Sequence, residues 1–165
     1  MNLGKIQVLS PEVHGVLDYV TGSTLLAAPK LFKFDRAGGP AVTIPRVLGS
    51  LILGQSAITD YKAGLIKVLP FNLHLAMDYA LGPFLALSPF LFGFHRRRRA
   101  AWLPHVLTGA FIALTTLMTR PQTEWQRAEA RLSRDMEQAV DYGRRVGEDV
   151  ERAVRDRMPA GTGAA

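Results

Sequence analysis

Residues 14–34, HGVLDYVTGSTLLAAPKLFKF, return sixty positions later as residues 74–94, HLAMDYALGPFLALSPFLFGF. Nine of the 21 aligned positions are identical: His14/His74, Asp18/Asp78, Tyr19/Tyr79, Gly22/Gly82, Leu25/Leu85, Pro29/Pro89, Leu31/Leu91, Phe32/Phe92 and Phe34/Phe94. A long-period repeat inside an apolar chain means one structural unit built twice. The copy carries with it an ionisable pair, His and Asp four residues apart. That pair decides where any chemistry would lie.

Around the repeat the chain falls into four apolar runs. The first opens on Ser10-Pro11-Glu12, an N-cap, a proline suited to the first helical position and an acid that complements the helix dipole. It continues to about Phe34, roughly the 20 residues that cross a bilayer core. The second runs from Thr43 to about Thr59, the third from Asn72 to Phe94 and the fourth from Ala101 to Met118. Pro45 and Pro104, each followed by an apolar stretch, are expected to open the second and fourth runs at matching places. None of the runs carries the charged stripe that a helix facing water must show.

The expected fold is therefore all-α, an integral membrane four-helix bundle made of two tandem two-helix repeats. Repeat 1 spans about residues 10–60 and repeat 2 about 71–118, inside a membrane domain of residues 1–118. Both repeats contain an even number of spans, so they enter the bilayer in the same sense, as a parallel repeat. Residues 119–158 form a C-terminal amphipathic helix, opened by the capping box Thr123-Glu124-Trp125-Gln126. Trp125, Leu132, Ala139, Val146 and Ala153 recur along it every seven residues. Residues 159–165 are expected to be a disordered tail.

Charge sets the orientation. Residues 1–118 hold 11 Lys/Arg against five acids, which accounts for the whole net charge of +6; the remaining residues hold nine of each sign. Lys30, Lys33, Arg36 and Arg46 flank the first hairpin loop, and Arg96, Arg97, Arg98 and Arg99 the other. The opposite side has Lys5, Lys62 and Lys67. Basic residues stay cytoplasmic, so both hairpin loops face the cytoplasm and both termini lie outside a multi-pass cell membrane. The four arginines suit anionic lipid headgroups. The basic excess sits between apolar runs, which reads as topology and not as nucleic-acid binding. The chain has no cysteine, so disulfides and thiolate chemistry are excluded.

Ser88-Pro89-Phe90, near the end of the first helix of a two-helix repeat, resembles the motif of the SPW-repeat family of small bacterial integral membrane proteins. Phe90 stands where the family's tryptophan would, and Ala28-Pro29-Lys30 is the degenerate copy. The resemblance covers about residues 10–118. It implies a multi-span protein of the bacterial inner membrane and no particular activity.

His14 and Asp18, like His74 and Asp78, share a helix face. Ionisable groups in a span turn toward the bundle interior. Four accounts are open: a divalent metal held across the pseudo-two-fold, a haem iron ligated by the two histidines, a proton relay, or hydrogen bonds that lock the two repeats together. The last is the default, and no metal ligand is assigned. No Walker, dinucleotide, H-E-x-x-H or G-x-S-x-G pattern occurs, and no nucleophile stands beside a base, so no enzymatic activity is expected. The function read from the sequence is a structural or accessory membrane protein, with a possible protein partner through the C-terminal helix. Metal, haem or proton handling at His14, Asp18, His74 and Asp78 is the alternative.

Overall fold

The structure, a computed structural model, describes residues 6–157, with the backbone alone at residues 124, 125, 127 and 130. Lys5 and the expected disordered tail lie outside the described residues. Among the described residues five α-helices follow one another: α1 (Pro11–Leu31), α2 (Pro40–Ile58), α3 (Phe71–Leu91), α4 (Arg99–Met118) and α5 (Glu124–Arg157). The chain divides into a unit ending at Gln122 and a second beginning at Thr123.

In the first unit α1 packs along α2 and α3 along α4, while α2 meets α3 and α1 meets α4 more lightly. The sixty-residue offset holds at both ends of α1 and α3 and at the C-terminal ends of α2 and α4. It also governs how the two repeats close on each other. Leu9 pairs with Thr119 and Leu69 with Thr59, so the strand entering each repeat lies beside the chain leaving the other. The bonds repeat too: Leu9 N–H donates to Met118 (2.9 Å) and Leu69 N–H to Ile58 (2.8 Å). Both hairpins thus point the same way, as a parallel repeat requires.

Two expected boundaries move. Pro45 and Pro104 lie inside α2 and α4 instead of opening them, since the helices begin at Pro40 and Arg99. Pro40 supplies the first helical position, where a missing N–H costs nothing. With Gly49 matched to Gly109 and Thr59 to Thr119, the place of Pro45 belongs to His105, not to Pro104. The first unit also runs past Met118, because Thr119 is fully buried and the Gln122 N–H donates to Asn72 Oδ1 (2.9 Å).

Glycine sets the helix crossings. A Cβ on Gly49 would lie 2.7 Å from the Gly22 carbonyl oxygen, and one on Gly109 2.3 Å from the Ala86 amide nitrogen. These contacts are backbone to backbone, so they cannot be relieved by a rotamer change. Of the small-residue pairs in the sequence, Gly82/Ala86 and Gly109/Ala113 sit at a crossing. Ser50/Gly54 does not, for Gly54 faces open space and Gly22 and Gly49 take that role.

The prolines near the ends of α1 and α3 explain the Ser-Pro motif. Pro89 cannot donate to the Leu85 carbonyl, which in an apolar surrounding would be left without a partner. The Ser88 hydroxyl fills the gap, donating to Leu85 O at 2.8 Å. Ala28 cannot do the same for Leu25 in the first copy. Ser88→Ala should therefore lower stability by about 1 kcal/mol, as a lost buried hydrogen bond does. A detergent melt compared with wild type measures it, and an unchanged midpoint would show that the Leu85 carbonyl needs no partner.

In the second unit, the capping box forms half of its bonds: Thr123 N–H donates to Gln126 Oε1 at 3.0 Å. Exposed Asp/Arg pairs three apart follow, Asp141–Arg144 (2.7 Å) and Asp149–Arg152 (3.2 Å). Leu132, Met136, Val146 and Val150 form an uncovered apolar stripe.

Candidate functional site

The interior of the bundle is layered. At the end bearing the hairpin loops, Phe34 and Phe94 hold the ring of His105 at 5.7 and 4.9 Å. A middle layer is wholly apolar: Leu25, Leu48, Ile52, Leu85 and Ile112. At the opposite end the interior turns polar, and there the duplicated pairs meet.

His14, Asp18, His74 and Asp78 offer ligand atoms that all lie within 4.8 Å of one another. His14 Nε2 is 3.0 Å from Asp78 Oδ2 and 3.4 Å from Asp18 Oδ2. His74 Nε2 is 2.9 Å from Asp18 Oδ2 and 3.0 Å from Asp78 Oδ2. Each histidine therefore addresses the carboxylate of the other repeat as closely as its own. Both imidazoles and Asp78 are buried to 1 % exposure or less, and only the Asp18 side chain, at 12 %, reaches the surface.

Two threonines fix the tautomers. Thr59 Oγ1 donates its single proton to the Gln55 carbonyl (2.6 Å), and Thr119 Oγ1 donates to Thr115 (2.6 Å). Each hydroxyl oxygen is then only an acceptor toward the histidine beside it. His74 Nδ1 lies 2.8 Å from Thr59 Oγ1 and His14 Nδ1 lies 2.8 Å from Thr119 Oγ1, so both Nδ1 atoms carry a proton and donate it. Both Nε2 atoms consequently face the carboxylates. Further donors come from α2: Gln55 Nε2 donates to Asp78 Oδ1, and Ser56 Oγ to Asp18 Oδ2 (3.3 Å).

An aromatic cap closes this end. Phe71 stacks on His74 at 5.9 Å and meets His14 edge-on at 5.8 Å. Tyr61 packs against Phe71 and His74, its ring on the bare Cα of Gly15, and burial pushes its phenol pKa up.

The four sequence candidates come together, while His105 lies at the other end of the bundle. The structure adds Thr59, Thr119 and Ser56 to them, and Gln55, the one strongly polar residue midway along the second apolar run, bonds Asp78 as a hydrogen-bonding residue is expected to there. The signal for the threonines was present, since Thr59 and Thr119 stand sixty residues apart. Tyr19 donates its hydroxyl to the Ala63 carbonyl (3.1 Å).

A macrocycle between His14 and His74 would have to occupy the space held by two carboxylate oxygens, each within 3.4 Å of both Nε2 atoms. A proton relay across the bundle would have to cross the apolar middle layer.

Fold and site together define a duplicated helical-hairpin bundle with a buried His/Asp centre on its pseudo-two-fold. The chain belongs to the SPW repeat family: the SPW repeat domain matches residues 12–119, which takes in all four bundle helices and ends on Thr119. No curated protein and no solved structure matches the chain.

Proposed function

We propose that this chain is a small multi-span membrane protein with a structural or accessory role, its two repeats locked together by the His/Asp centre. The observation that carries this reading is a buried polar cluster inside a bundle whose outer faces are apolar. Buried positions hold His14, Asp18, Gln55, Ser56, His74, Asp78, Thr116 and Thr119. The outer faces present Val16, Val20, Leu51, Leu87, Leu107 and Leu114, each about half exposed. Water would penalise that arrangement on both counts, whereas lipid solvates the outside and the bundle satisfies the inside. α2 and α4 are long and apolar enough to cross a membrane by themselves. α1 and α3 carry the ionisable pairs, which lowers their hydropathy while those side chains stay away from lipid.

The basic end supports an orientation with both hairpin loops in the cytoplasm. Arg97 Nη1 donates to the Ala37 carbonyl of the other loop, and Lys33, Arg36, Arg97 and Arg98 line one pocket of about 280 Å³. Such a cationic recess at the interface suits anionic lipid headgroups. The chain is free of cysteine, so a cysteine at Gly39 reports cleanly. It should resist a membrane-impermeant thiol reagent in intact cells and react after lysis; ready labelling of intact cells would overturn the orientation. The wild-type chain should stay with membranes through an alkaline carbonate wash and leave only with detergent. Release by carbonate would overturn the membrane reading itself.

A further inference from the structure

We propose that His14, Asp18, His74 and Asp78 form a tetrahedral site for one divalent transition ion of the zinc class, held by both repeats. Three observations converge on it. The first is spacing. A tetrahedral shell with bonds of about 2.0–2.1 Å places its ligand atoms about 3.3 Å apart. The four cross-contacts between Nε2 and Oδ2 atoms are 2.9, 3.0, 3.0 and 3.4 Å. All four ligand atoms lie within 4.8 Å of one another, so side-chain rotations bring the set onto such a shell.

The second is the direction of the lone pairs. With Nδ1–H committed to Thr59 and Thr119, both rings aim Nε2 at the same point; His14 Nε2 bonds Asp78 Oδ2 at 3.0 Å, and a bound metal takes the place of the proton between them. His74 Nε2 is fully buried and has no hydrogen-bond partner, although two carboxylate oxygens lie within 3.0 Å of it. Its neighbours are near enough, but their directions are wrong for N–H···O bonds. A cation between the four atoms uses that lone pair and a proton does not. A histidine ligand whose other N–H is held by a hydrogen bond is also the usual outer arrangement of a metal centre.

The third is charge. Two neutral imidazoles, two carboxylates and one divalent cation sum to zero, the only total that a site this dry holds cheaply. Nitrogen and oxygen ligands in equal number favour a borderline ion such as Zn²⁺ over Ca²⁺ or Mg²⁺, which demand more oxygens. Asp18, the one partly exposed member, marks the side of entry. This inference goes beyond the locking role and does not depend on orientation.

The test uses the full chain in detergent, stripped with a chelator and then loaded with Zn²⁺ or Co²⁺. The expected result is one Zn²⁺ per chain surviving gel filtration, and the intense visible absorption of tetrahedral Co²⁺. Asp78→Asn and His14→Gln should reduce bound metal from one per chain to none, with circular dichroism and elution volume unchanged. Thr119→Val, which touches no ligand atom, should weaken binding about 10–100-fold by freeing the His14 ring. If a ligand variant does not fold, X-ray absorption of the wild-type Zn²⁺ complex decides. A four-atom shell of nitrogen and oxygen at about 2.0–2.1 Å, with imidazole scattering, supports the site. A six-atom shell, no retained metal, or retention equal in wild type and folded Asp78→Asn overturns it. Those last outcomes leave the membrane reading standing, since carbonate extraction tests that separately.

Discussion

Asp78→Ala should cost about 3–5 kcal/mol, the usual penalty for removing one partner from a buried ionic cluster. Its carboxylate serves His14 and His74 through Oδ2 and Gln55 through Oδ1, so one truncation strips three buried groups at once. Gln55 Oε1 already has no hydrogen-bond partner, so this amide would keep no side-chain bond. Single polar contacts in membranes average only about 0.6 kcal/mol, because an unfolded chain in lipid also finds partners. Here the larger figure applies, since four ionisable groups share one dry space. Asp78→Asn is the control: its Oδ1 still accepts from Gln55, and its amide can donate to a bare Nε2. Thermal melts in detergent should rank wild type above Asp78→Asn and both far above Asp78→Ala. Equal melting of the alanine and asparagine variants would show that the centre contributes volume and not polarity.

Gly109→Leu should be at least as damaging. A single Cβ at this position already meets the Ala86 amide nitrogen at 2.3 Å and the Gly82 carbonyl oxygen at 2.6 Å. The clash is with main chain, so α3 and α4 must separate along their crossing. Separation loses close van der Waals contact, the main source of helix association in lipid. It also withdraws Thr119, at the end of α4, from His14. The variant should run as an expanded or aggregated species on gel filtration, while Gly54→Leu, which meets open space, should elute as wild type. A compact Gly109→Leu protein would mean that the hairpin tolerates a wider crossing.

Much of this fold was legible because duplication is visible without coordinates. The sixty-residue offset gave two hairpins, their parallel sense and the depth at which His14 and His74 face each other. Pairing Pro45 with Pro104 ignored Gly49/Gly109 and Thr59/Thr119, which hold the register at sixty. The same offset would have singled out the two threonines, but a threonine at a helix end reads as a cap, and nothing local ties it to a histidine 15 or 105 residues away.

Periodicity and composition dictate which groups must find partners. Two His/Asp pairs inside apolar runs cannot face lipid or an apolar core unpaired, and their periodicity turns them inward. What those partners are follows from the packing of separate helices. Thr59 and Thr119 set the imidazole tautomers, Gln55 and Ser56 reach the carboxylates, and the glycine crossings bring the helices close enough for all of them to meet. Periodicity acts within one helix, whereas hydrogen-bond direction depends on how separate helices are placed to within a fraction of an ångström.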